Sequence, residues 1–251
     1  MRIERIGLTA LKGARHTARE RVELSPEGPV GDRVFCLLDP VRRRVLRTVE
    51  NPSLVRAAAR WDGGVLSVDL PAGTVEGTPT PTGEVVKADY WGRTAALEVV
   101  AGPWSRAFFE HLGREVVLAR SVHPGEVVYG GAVTVLTTAS MRLLSERIGH
   151  DVASARFRST FLLDVDDQPH VEDSWVGREL RLGGAVVLVR GRVPRCAVVD
   201  LDPDGSGERD PVLNTLARYR RVRKDVNFGV DAVVVTPGVV SAGDVAELER
   251  G

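Results

Sequence analysis

Short apolar segments recur along this chain at close intervals, each cut off by Gly, Pro or Asp. That punctuation restricts the fold more than any other feature. RVFCLLD (33–39), VLSVDL (65–70), AALEVV (95–100), EVVLAR (115–120), AVTVLTT (132–138), STFLLDV (159–165), AVVLVR (185–190), CAVVDL (196–201) and DAVVVTPG (231–238) all read as strands. Many short strands joined by tight turns favour a β barrel or sandwich. The expected fold class is therefore mainly β, with a few short helices.

Three segments carry helical spacing instead. GPWSRAFFEHLG (102–113) puts Trp104, Phe108 and Leu112 on one stripe and stops at Gly113. TASMRLLSERIG (138–149) puts Met141, Leu144 and Ile148 on one face, with Thr138 as the expected N-cap and Gly149 as the stop. DPVLNTLARYR (210–220) begins with an Asp cap and a Pro in the first turn. A composition shift at 71–94, rich in Gly, Pro and Thr, suggests two units. These are a small β-rich domain over 1–92 and a larger β barrel over 93–251. The stretch 202–211 reads as a surface loop; its lone DxDG lacks the rest of a calcium loop.

The function classes narrow by exclusion. Lys plus Arg and Asp plus Glu both number 34, so the formal net charge is zero, which argues against a general nucleic-acid binder. Only Lys12, Lys87 and Lys224 are lysines; the other basic groups are arginines, whose guanidinium forks suit phosphate. Cys36 and Cys196 are the only cysteines and build no disulfide framework, which points to a reducing, cytoplasmic setting. The charged N-terminal run does not read as a signal peptide, and no apolar run is long enough for a membrane span. The five histidines form no HxH or HExxH pair, and there is no GxSxG, GxxxxGK[ST] or strand-following GxGxxG.

What remains is one cysteine in the setting VPRCAVVDLDPDG (193–205). Cys196 opens an apolar strand after Pro194 and an exposed-looking Arg195, whose charge would favour a thiolate. A cysteine beside valines is commonly a small core residue, and Cys36 in GDRVFCLLD is read that way. A single thiolate cannot hold a soft metal alone, so Cys196 is either a nucleophile or one ligand among others that a cofactor supplies. In SARFRST (154–160), if that segment is a strand, Arg156 and Arg158 share a face and could clamp an anion; surface ion pairs are the equally weighted alternative. Thr137, Thr138 and Ser140 stand at a helix start, where hydroxyls, free N–H groups and the dipole could seat a phosphate or simply cap the helix. Trp175 in VEDSWVGREL is read as core.

Taken in order, ARFRST, EDSWVGRELRLG (172–183), PRCAVVDLDPDG, LNTLARYR (213–220) and VNFGVDAVVVTPGVVSAGDVAEL (226–248) resemble the signature series of the MOSC family. That family is named for the C-terminal domain of molybdenum cofactor sulfurases. LTALKG (8–13), GDRVF (31–35), LRTVENPSL (46–54) and YWGR (90–93) resemble the β-rich unit that precedes MOSC domains in the mitochondrial amidoxime reducing component group. The resemblance implies a MOSC-type β barrel and a molybdenum–molybdopterin cofactor whose metal binds Cys196, the catalytic position. It implies cofactor contacts at Lys12, Arg33, Arg47, Ser140 and Arg158. Thr138 and Arg156 join them on the grounds of charge and position, and Thr160 occupies the place of a family asparagine. Gly13 stands where the amidoxime-reducing proteins carry a serine, and Ser159 and Thr160 replace a proline–asparagine pair.

The activity implied is a molybdenum-dependent oxidoreductase that reduces a small N-hydroxylated or N-oxidised substrate. Lacking an iron–sulfur or flavin motif, it would draw electrons from an external reductase. Pyridoxal phosphate is not an expected cofactor. Two alternatives stay open: a sulfur carrier using a Cys196 persulfide, and a non-catalytic protein that binds the molybdenum cofactor.

Overall fold

The computed structural model describes residues 1–166, 168–204 and 209–249. Strands dominate, as the punctuated apolar runs require. The largest sheet has nine strands. Its main path runs Thr17–Arg19, Arg2–Leu8, Phe161–Asp164, Val133–Thr137, Asp225–Thr236, Ala185–Arg195, Glu179–Leu182 and Ala246–Leu248. A second group pairs as a closed ring: Thr80–Tyr90, Arg93–Ala101, Val117–Ser121, Phe35–Asp39 and Arg44–Val45, with a parallel bridge from Asp89 to Arg44 completing the circuit. Two three-stranded sheets flank these. Strand pairing runs straight through residue 92, because Tyr90 pairs with Arg93 across the two-residue turn Trp91–Gly92. The first strand, Arg2–Leu8, lies in the large sheet against Phe161–Asp164, so the chain's start and its second half share one hydrogen-bonded layer.

The helices follow their apolar spacing. α1 (Trp104–Leu112) buries Trp104 and Phe108 and ends at Gly113, whose φ of 66° is the left-handed stop the sequence signalled. α2 (Thr138–Ile148) links the parallel strands Val133–Thr137 and Phe161–Asp164. Its N-cap is Thr137, one residue before the expected Thr138: the Thr137 backbone is extended and its hydroxyl accepts from Ser140 N. α3 (Val212–Arg220) is capped not by Asp210 but by Asp200, whose carboxylate accepts from Leu213 N at 2.7 Å.

One expected strand and one segment considered as a strand form turns instead. Ser154–Phe157 is a 3-10 turn that ends at Arg158 in the left-handed region (φ 53°), so Arg156 and Arg158 do not alternate as strand neighbours on one face. Cys196 does not open a strand; it follows the end of the long strand Ala185–Arg195 and starts the 3-10 turn Ala197–Asp200. Residues 205–208 of the loop expected at 202–211 lie outside the described residues.

Two aliphatic cores carry most of the packing. One fills the large sheet with Ile3, Ile6, Val135, Phe161, Val187, Val230 and the buried Trp175; the other joins Leu11, Phe35, Leu54, Val68, Trp104 and Phe108. Each fully buried side chain of this size contributes about 1.5–3 kcal/mol of transfer free energy. Cys36 is fully buried, as expected, and burial pushes its thiol up to about 12.

Gly229 interrupts the strand Asp225–Thr236 with φ +75°, and a Cβ there would stand 2.4 Å from Leu136 Cδ2 and 2.6 Å from Val135 O. The strand must kink to clear its neighbour. Gly229→Ala is expected to lower the unfolding free energy by at least about 1–3 kcal/mol from the backbone conformation alone. Urea denaturation checks this, and an unchanged midpoint would contradict it.

Candidate functional site

The site lies at the seam where the N-terminal connector leaves the large sheet and crosses to the ring. Lys12 is fixed there by its own backbone: its N–H donates to Phe35 O at 2.8 Å, while Phe35 N donates to Ala10 O at 3.0 Å. The next residue must turn sharply. Gly13 has φ +95°, and a Cβ would lie 2.9 Å from Leu54 Cδ1 and 3.2 Å from Thr48 Oγ1. The left-handed backbone there favours glycine and would strain a serine, which would also press on Leu54.

Arg158 reaches the same connector from the other side. Its Nη2 donates to the carbonyls of Gly13 and Ala14, each at 2.7 Å, tying the 3-10 turn to the loop that presents Lys12. Arg33 also takes a left-handed backbone (φ 48°) and ion-pairs with Asp32, while its Nη2 approaches Arg158 O at 3.5 Å. Asp32 in turn accepts from Thr9 N at 3.0 Å. Three cations thus converge around one carboxylate that is already engaged.

The electrostatics record that crowding. Burial holds the Lys12 ammonium down to about 7, with Arg33 and Arg158 pushing the same way and Asp32 and Cys196 pulling it up. Burial likewise lowers Arg158 to about 10, with Arg33 adding to it and Cys196 opposing it. Cys196 is therefore within electrostatic reach of Lys12 and Arg158. Its side chain is exposed, not sealed in hydrocarbon. Lys12 also stands 5.3 Å from the ring centre of Tyr90.

Arg195 is not the free surface guanidinium the sequence suggested. Its Nε donates to Phe228 O and its Nη1 to Phe157 O, both at 2.8 Å, and the group lies 5.3 Å from the centre of the Phe157 ring. Burial lowers it to about 10, and Cys196 counts among the charges that raise it. Arg195 thereby pins the strand end before Cys196 to the turn that carries Arg158 and to the kink at Gly229.

The remaining predicted contacts are engaged elsewhere. Arg47 stacks 4.1 Å over the Trp91 ring and pairs with Asp89 at 3.3 Å and Glu50 at 3.5 Å. Arg156 is ion-paired to Asp210 and donates to Asp200 O at 3.1 Å, so it braces α3 and does not pair with Arg158. Thr138 laces α2 to the strand end, its hydroxyl accepting from Val165 N at 3.0 Å. Thr160 exchanges bonds with Thr134, each N–H donating to the other's hydroxyl at 3.1 Å.

Ser140 is fully buried, and the phosphate seat expected at the α2 start is filled by a carboxylate of the protein. Ser140 Oγ donates to Glu172 at 2.7 Å and Thr137 Oγ1 donates to it at 2.8 Å. Burial raises the Glu172 carboxyl above its usual value. No local sequence signal reveals this pairing, because Glu172 lies 32 residues from Ser140. Among the described residues, no group of three or more His, Cys, Asp or Glu could hold a metal ion, and no helix is long and apolar enough to cross a membrane.

A connector loop, three converging cations and an exposed thiol, all supplied by a kinked β framework, fit a domain that takes an anionic cofactor. The MOSC domain family model matches residues 113–247, more than half of the chain, and the chain belongs to that family, which is associated with molybdenum cofactor binding. Three solved structures show likeness. The YuaD protein from Bacillus subtilis is 8% identical, with 98% of this chain and 94% of that one covered and a TM-score of 0.48. YiiM from Geobacillus stearothermophilus is 16% identical over 48% of this chain and 55% of that one, with a TM-score of 0.36. YiiM from Escherichia coli is 18% identical over the same shares, also at 0.36. Comparison with curated proteins found no match.

The lowered Lys12 value has a definite sign. In the unfolded chain this amine keeps its ordinary value of 10.5, and in the folded protein it falls to about 7. Below pH 7 both states carry the charge and the penalty is fully present; between about 7 and 10.5 the unfolded chain binds the extra proton, so stability rises with pH. Lys12→Met removes this, so the mutant should be the more stable protein near pH 6 and lose that advantage toward pH 10. Urea titrations across that range test it, and a gap independent of pH would contradict it.

Proposed function

We propose that this protein is a molybdenum-cofactor-dependent oxidoreductase of the amidoxime-reducing type, with Cys196 as the protein ligand to the metal. The observation that carries the proposal is the exposed Cys196 sulfur lying in the field of Lys12 and Arg158, beside carbonyl-anchored arginines and a surplus of positive charge. The donor set fits such a group. Lys12, Arg33 and Arg158 offer N–H donors and charge to a phosphorylated pterin, and Asp32 is the carboxylate that offsets them. A lone thiolate needs further soft ligands, which a pterin dithiolene provides.

When bound, the cofactor would supply the redox chemistry that removes oxygen from an N-hydroxylated or N-oxidised substrate. The chain's own residues do the rest. Arg195 holds the Cys196 backbone through Phe157 and Phe228, so the sulfur is presented from a braced strand end. Arg158, anchored on Gly13 and Ala14, keeps the connector loop closed on the site. Lys12, disfavoured as a bare charge, regains its proton when an anion arrives, so anion binding above pH 7 should take up a proton. Electrons would come from a separate reductase.

The test is protein made in a host that synthesises the cofactor, assayed for molybdenum, for fluorescent oxidised pterin and for releasable sulfane sulfur. The expected result is both molybdenum and pterin in wild type, with Cys196→Ser losing activity with an external reductase and altering or emptying the metal site. Sulfane sulfur on Cys196 without molybdenum would favour the persulfide carrier. Bound cofactor without turnover would favour a storage or delivery protein.

A further inference from the structure

Trp91 stands where a hairpin turn least favours it. Trp91 and Gly92 are the two central residues between the paired Tyr90 and Arg93, with φ 55° and 79°. Positive φ at both positions is what a type I′ turn demands, and Asn-Gly or Gly-Gly is the usual pair. Of the non-glycine residues described at positive φ, Trp91 has the largest side chain, and it is 42% exposed, so burial does not offset the strain. Its ring is held in place all the same. Arg47, itself paired with Asp89 and Glu50, stacks 4.1 Å over it, and Tyr129, 61% exposed, meets it edge-on with ring centres 6.3 Å apart. We propose that Trp91 and Tyr129 form the platform that selects this protein's substrate by taking its planar aromatic group. The inference rests on the function proposed above.

Two sets of contacts tie the pair to the site. Tyr90, adjacent to Trp91, puts its ring centre 5.3 Å from Lys12 Nζ and 5.2 Å from Arg93 Cζ. Arg93 Nη2 donates to Val128 O at 2.8 Å, which fixes the segment carrying Tyr129 to this turn. Three residues beyond Val128, Gly131 N donates to the Asp231 carboxylate at 2.8 Å. Asp231 is among the charges acting on Arg195, the residue before Cys196. The segment with Tyr129 therefore runs from the turn beside Lys12 to the strand paired with Ala185–Arg195.

Two rings set at 61° to one another offer a face and an edge to a third ring, the arrangements that aromatic groups prefer. Trp and Tyr have few rotatable bonds, so little freedom is lost on contact. Arg47 and Arg93 flank the pair, and their charge disfavours a cationic ring and favours a neutral or anionic one. The class that fits is an aryl or heteroaryl compound whose N-hydroxylated group reaches the seam while its ring rests on Trp91 and Tyr129.

Two N-hydroxyamidines with the same reacting group, one phenyl-substituted and one methyl-substituted, test this on cofactor-loaded protein with an external reductase. Wild type is expected to favour the phenyl compound in kcat/KM. Trp91→Asn and Tyr129→Ser should each lower that preference roughly tenfold, the scale of one aromatic contact, with the change falling on KM more than on kcat. Asparagine accepts the left-handed turn, so Trp91→Asn should also unfold in urea at a midpoint no lower than wild type. Saturation-transfer NMR without reductase gives a reading free of turnover. The ring protons of the phenyl compound should receive saturation from loaded wild type and less from either variant.

An unchanged preference in both variants, with the phenyl compound still reduced, would overturn this inference and leave the proposed function standing. So would a wild type that reduces both compounds equally well. A Trp91→Asn protein that unfolds earlier than wild type and keeps the preference would assign the ring to packing and overturn it too. Loaded wild type that reduces neither compound would overturn the proposed function, and this inference with it.

Discussion

The organising constraint is the cost of holding Lys12, Arg33 and Arg158 together with a single nearby carboxylate. Repulsion among three cations in a partly buried seam must be offset. The protein does so with neutral carbonyls and one ion pair: Arg158 rests on the Gly13 and Ala14 carbonyls, while Arg33 pairs with Asp32 and approaches Arg158 O. The carbonyl bonds orient Arg158 without cancelling its charge. What is left over falls on Lys12, the one member of the cluster able to shed its proton within an accessible pH range.

The β framework exists in the form that makes this seam possible. Placing Arg2–Leu8 in the large sheet delivers the connector Thr9–Gly13 to the edge where Phe161–Asp164 begins. The Gly229 kink and the Arg195 bonds then bring the end of Ala185–Arg195 beside Phe157, so Cys196 comes within electrostatic reach of Arg158 although far from it in sequence. Asp200 capping α3, and Arg156 on Asp210, brace the far side of the same turn. The positioning groups Arg195, Asp200 and Arg156 therefore act through backbone and helix contacts.

Much of the candidate site was legible because its residue types are unusual where they stand. A Cys196 after Arg195 and Arg158 in a closely spaced arginine pair stood out before any fold was known, whereas Lys12 entered through the family resemblance. What misled was local periodicity. SARFRST and CAVVDL look like strands, yet the first turns left-handed at Arg158 and the second coils after Cys196. Tertiary bonds from Arg158 and Arg195 reward those turns more than a ladder would. Ser140 and Thr138 had the composition of a phosphate seat, but a carboxylate from a distant turn already occupies it.

By itself, the sequence determined the mainly β class, the three helices and the glycine stops of two of them, the buried Cys36 and the family, because periodicity, punctuation and motif order are local properties of the chain. The tertiary structure alone decided which basic residues converge. Whether a guanidinium rests on neutral carbonyls, as Arg158 does, or is spent on a carboxylate, as with Arg156, depends on partners far away in sequence. No local pattern encodes that pairing, since it is settled only when the sheet, the connector and the turns have closed on one another.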